Sequence, residues 1–126
     1  MEDRPDSAAL LDAVEALLRD EVVPRLDGAT AYHARIATSV VAVVARQLRL
    51  GPAAAAAEIG RLRALLGDGA DAAMLADRLR DGSSSIDDPA VADHLWLTTR
   101  AKLAIDQPRY PRLAQLEAAD DAISDG

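Results

Sequence analysis

The chain contains no cysteine and no phenylalanine, and lysine occurs once, at Lys102. Without thiols there is neither a disulfide nor a thiolate metal site, and a cytoplasmic location fits. Aromatic side chains are confined to Tyr32, Trp96 and Tyr110. The core must therefore be assembled from Leu, Val, Ile and Ala, whose compact side chains let helices approach closely. No long apolar run is present. The most apolar stretch, Ile36–Ala45, is about half the ~20 residues that a membrane-spanning helix requires, and Arg35 and Arg46 flank it. The opening MEDRPDSAAL is acidic where a secretory signal carries a basic region.

Positive charge is also in short supply, with 14 bases against 21 acids and a net charge of −7. A field of that sign repels phosphate backbones and anionic membrane surfaces, so neither nucleic acid nor membrane is expected as a partner. The 126 residues are the size of one domain, and half of them are apolar, which excludes a disordered chain.

Helical periodicity dominates what is there. Asp6 or Ser7 can cap a first helix, whose apolar positions Leu10, Val14 and Leu17 recur at three- and four-residue spacing. Glu21 falls in line with that stripe. Pro24 should kink or end the helix, and Asp27-Gly28 reads as its stop. The second helix, Ala31–Leu50, is the most apolar and is expected at the centre of the fold. Its arc contains Tyr32, Ile36, Val40, Val43, Val44 and Leu48, and His33 lies within the same arc. Gly51-Pro52 should end it and open a third helix through the alanine run to Leu66. A short fourth helix over about 70–80 follows the Gly67-Asp68-Gly69 break. Asp88-Pro89 starts a fifth, running to about Ile105, where Pro108 and Pro111 stop it. The pattern predicts an all-α fold, a single helical bundle of five to six helices over residues 1–111. Residues 112–126 form an acidic tail, partly helical or disordered.

Motifs of known chemistry are missing. Two histidines about 60 positions apart offer no metal spacing, so no metal and no cofactor are expected. No glycine-rich loop follows a strand, and no serine sits in a nucleophile elbow. Three polar constellations remain. Glu21 and His33 lie on apolar faces of helices joined by a short turn. Burying either alone is costly, so they read as a self-satisfying structural pair or as an acid–base pair lining an inter-helical pocket. Lys102, Asp106, Arg109 and Tyr110 cluster where the fifth helix stops. They read as a lock onto the bundle or as ligand or partner contacts. Arg35, with Arg46 and Arg49, forms a basic row that reads as a solvated face, as one paired with acids from other helices, or as a patch for an acidic partner or a phosphorylated ligand.

The segments RPDSAALLDAVEALLRDEVVPRLDG, AYHARIATSVVAVVARQLRLGP and TTRAKLAIDQPRYP resemble a bacterial family of short all-helical proteins of unknown function. The resemblance runs from about Arg4 to Pro111 and includes Glu21, Pro24, His33, Arg35, Lys102, Asp106, Pro108, Arg109 and Tyr110. Members of that family are encoded beside acyl-CoA dehydrogenase-like proteins and kinase-like phosphotransferases of the aminoglycoside/choline kinase type. The resemblance implies an accessory or interaction protein rather than an enzyme. Its partner would be a neighbour-encoded enzyme or a second copy in a homodimer. The alternative is a small-ligand binder or enzyme with a pocket around Glu21 and His33.

Overall fold

The structure is a computed structural model that describes residues 6–124. Every regular element in it is helical, as the periodicity requires. Helix α1 spans Ser7–Leu17, and a π turn, Leu18–Val22, and a 3-10 turn, Val23–Arg25, follow it. Helix α2 spans Gly28–Leu66, α3 Ala72–Asp81, α4 Pro89–Asp106 and α5 Leu113–Ser124.

The helix starts are set by short acidic side chains that accept otherwise orphaned backbone N–H groups. Asp6 accepts from the Ala9 N–H at 2.7 Å, Asp71 from Met74 at 2.9 Å and Asp88 from Ala90 at 3.0 Å. Pro89 stands in the first turn of α4, where a missing N–H costs nothing. Helix α3 stops at Gly82, whose φ of +85° is strained for any side-chain-bearing residue.

Helix α2 corrects the expected break at Gly51-Pro52. It continues through both residues for 39 positions, with Pro52 inside it. Proline removes one backbone donor and its ring crowds the preceding residue, which disfavours helix there. That preceding residue is Gly51, which has no Cβ to crowd. A Cβ at Gly51 would instead meet the Gln47 side chain. Ala53–Ala57, of the highest helix propensity, then carries the helix onward.

Pro52 also marks the division of the chain into two units, one ending there and the other beginning at Ala53. In the first unit the buried residues are small: Ala8, Ala31, Ala45 and Thr38. Thr38 satisfies its hydroxyl within α2 by donating to the Ala34 carbonyl at 2.8 Å. Asp12 of α1 accepts two hydrogen bonds from the Arg49 guanidinium, at 3.0 and 2.5 Å. This pairing holds the Asp12 carboxyl below its ordinary range. Many large apolar side chains of this unit are exposed: Leu10, Val14 and Leu17 of α1, and Tyr32, Ile36, Val40, Val44 and Leu48 of α2.

The second unit has the conventional arrangement. Leu62, Leu75 and Val91 are buried together, with Leu65, Leu66, Ala70, Leu79 and Leu95 packed around them. The acidic tail carries α5, and it is tied to α4. Trp96 donates its indole N–H to Asp120, and Arg100 reaches Asp120 at 3.3 Å and Glu117 at 3.7 Å.

Candidate functional site: a groove on helix α2 and a part-buried polar trio

The Glu21–His33 pair is not made. Glu21 and His33 are both exposed, and no hydrogen bond or ion pair joins them. His33 instead lies against the ring of Tyr32, with centroids 5.8 Å apart and the planes tilted by 53°. The reason is the stripe that Glu21 extends. Leu10, Val14 and Leu17 are about half exposed, so a residue in line with them faces water as well. The same holds for the arc around His33. The π turn that contains Glu21 further shifts its register from the straight α-helical one.

Lys102, Asp106, Arg109 and Tyr110 are exposed around the turn between α4 and α5. The turn is held by its backbone: the Gln107 N–H donates to the Leu103 carbonyl at 2.8 Å and the Tyr110 N–H to the Gln107 carbonyl at 2.9 Å. The four side chains supply no hydrogen bond or ion pair to it among the described residues. Arg35 belongs to the first unit and is exposed on α2.

Arg35 does border a concavity. Tyr32, Arg35, Ile36, Ser39, Val40, Val43 and Val44 line a groove of about 400 Å³ on α2. Two rows of residues four apart make its walls. One row is Tyr32, Ile36, Val40 and Val44; the other is Arg35, Ser39 and Val43. A trough between i±4 ridges is the feature into which a second helix lays its own ridge. The groove is apolar except at the Arg35 rim, since the Ser39 hydroxyl is turned inward to the Arg35 carbonyl at 3.2 Å. Tyr32 is 57% and Val40 55% exposed.

The second unit holds a polar cluster that pattern reading missed. His94 of α4 is only 3% exposed. Its Nδ1 accepts from Arg61 Nε of α2 at 3.0 Å, and Arg61 Nη2 donates to Thr98 Oγ1 at 3.0 Å. Accepting at Nδ1 places the imidazole proton on Nε2. Burial and then the nearby Arg61 cation hold the His94 pKa below its ordinary value, and Glu58 pulls weakly the other way. The signal in the sequence is the four-residue spacing of His94 and Thr98, three and seven positions after the core residue Val91. A neutral imidazole, a guanidinium and a hydroxyl joined in this way fasten α4 to the C-terminal half of α2. They leave no nucleophile poised beside a base. No group of three or more potential metal ligands occurs among the described residues.

No curated protein and no solved structure has significant similarity to the chain. A family match covers residues 24–110, from the turn before α2 to the turn after α4, and so leaves α1 and α5 outside. Both the α2 groove and the Arg61–His94–Thr98 trio fall within that span, and on it the chain belongs to the domain of unknown function family DUF6285.

Proposed function

We propose that this chain is an accessory protein that works by docking a helix of a protein partner into the α2 groove. The observation that carries this reading is the outward set of large apolar side chains on α2, from Tyr32 to Leu48 at four-residue spacing. Water-facing apolar ridges are costly to maintain, and contiguous apolar patches of this kind mark interaction sites. Helix-in-groove recognition uses this i, i+4 anchoring. Helix α2 is also long and apolar enough to cross a membrane by length and composition, and its most apolar window is only 6% buried, unlike the core helix of a soluble protein. The polar ties of this helix, Arg49 to Asp12 and Arg61 to His94 and Thr98, favour a helix that works in water. The reading accordingly places the protein in the cytoplasm.

The resemblance to proteins encoded beside acyl-CoA dehydrogenase-like and kinase-like phosphotransferase proteins supplies the partners to try first. Co-expression of the full chain with each enzyme, followed by affinity capture of the enzyme, tests the proposal. The enzyme should retain the wild-type chain and lose the Val40→Asp variant. Retention of both, or of neither, would count against docking at α2.

A further inference from the structure

The groove also says what kind of helix fits it, an inference that rests on the docking reading above. Between Asp27 and Glu58 the chain has no carboxylate, although it carries a net charge of −7. Arg35, Arg46 and Arg49 fall within that stretch. Arg49 is committed to Asp12. Arg35 stands at the groove rim with no hydrogen bond or ion pair to another side chain among the described residues. An apolar trough with an uncommitted guanidinium on its edge is half of a charge-matched interface.

We infer that the α2 groove seats an acidic amphipathic helix of a partner protein. Its aliphatic ridge lies between the Tyr32–Val44 and Arg35–Val43 rows, and its carboxylates flank Arg35. The charge pattern argues against a second copy of α2 laid parallel, which would set the uncommitted Arg35 against its own counterpart.

The test uses the full chain and two fluorescein-labelled synthetic helical peptides. They share a leucine stripe at i, i+4 and i+7, and differ in carrying glutamate or lysine on the flanks of the stripe. Fluorescence anisotropy at low and high salt reads the affinities. The glutamate peptide should bind at least tenfold more tightly than the lysine peptide, and salt should erode the difference. Arg35→Glu should reverse the order of the two peptides. Val40→Asp and Ile36→Asp should abolish binding of both while the helical circular dichroism signal is retained, since both residues are exposed.

Equal binding of the two peptides, lost in Val40→Asp, would overturn the acidic-partner inference and leave the docking reading standing. No binding of either peptide, with enzyme capture indifferent to Val40→Asp, would overturn both. A wild-type chain that sediments as a dimer and becomes monomeric in Val40→Asp would assign the groove to a second copy instead. Binding to vesicles of phosphatidylserine and phosphatidylcholine that Val40→Asp releases would assign it to a membrane surface.

Discussion

Replacing Arg61 with methionine separates two consequences of one part-buried contact. The methionine keeps most of the aliphatic volume and removes the guanidinium. Both hydrogen bonds from Arg61, to His94 Nδ1 and to Thr98 Oγ1 at 3.0 Å, are lost. A hydrogen bond to a charged group is worth about 1.5–3 kcal/mol, and a buried acceptor left alone costs about 1–3 kcal/mol. The two figures describe overlapping parts of one change. Removing a cation from beside a buried ring offsets a further part, so the net loss at pH 8 should be about 2 kcal/mol. For a chain of this size that lowers the melting temperature by about 6 °C.

The pH dependence supplies the sharper signature. The folded-state pKa of His94 lies below its ordinary value, so the unfolded chain binds the proton first. The stability from the neutral His94 is therefore fully present above the unfolded value of about 6.5. It is lost as pH falls through that value towards the folded one. Without Arg61 one of the two causes of the depression is gone and burial, the larger, remains. The variant should lose less stability than wild type between pH 8 and pH 5.5, while starting lower. Urea denaturation at the two pH values, followed by circular dichroism, measures both effects. Equal midpoints at pH 8, or parallel losses on acidification, would refute the role assigned to the trio.

Leu62→Ala, which empties part of the buried cluster with Leu75 and Val91, should cost about 3 kcal/mol in the same assay. Val44→Ala, on the groove wall, should change the stability of the isolated chain by no more than about 0.5 kcal/mol; a loss as large as that of Leu62→Ala would show that the groove is filled from within. Pro52→Ala restores a donor inside α2 at an exposed position and should raise stability by about 1–3 kcal/mol, seen as a higher urea midpoint; a lowered midpoint would mean that the proline is required where it stands. Trp96→Phe removes the indole donor to Asp120. It should make α5 cleave faster in limited proteolysis while the rest of the chain stays protected, and an unchanged cleavage rate would show that the Arg100 contacts suffice.

The helices and their caps were legible because they are local. Asp6 or Ser7 offers a cap to the first helix and Asp88 one to the fifth expected helix, and the structure has Asp6 and Asp88 accepting N–H groups two or three residues on. The continuity of α2 was not legible, because Gly51-Pro52 punctuates most sequences and here the glycine removes the steric conflict that the proline creates. Glu21 and His33 were misplaced for a different reason. Periodicity shows which residues share a helix face and is silent on whether that face is covered. The first unit buries Ala8, Ala31 and Ala45 and leaves leucines, valines and an isoleucine outside, the reverse of the assumption that large aliphatics mark the core. His94 was passed over because a lone histidine has no motif, and its partners Arg61 and Thr98 come together only when α4 packs against the end of α2.

The same inversion bears on function. A helix that hides alanines can approach its neighbour closely, and it then has less interior room for its bulky side chains. Those side chains form ridges on the outer surface, and ridges with an i±4 trough between them are half of a helix–helix contact. The acid-free composition of that segment, inside an acidic chain, gives the trough a sign as well as a shape. Shape alone admits a copy of the chain, a bilayer or a foreign helix; the uncommitted Arg35 at the rim is what supports the proposal of an acidic foreign helix. Arg35→Glu is therefore the decisive substitution: it leaves the apolar trough intact and changes only the charge at its rim, so the identity of the bound peptide should follow the charge.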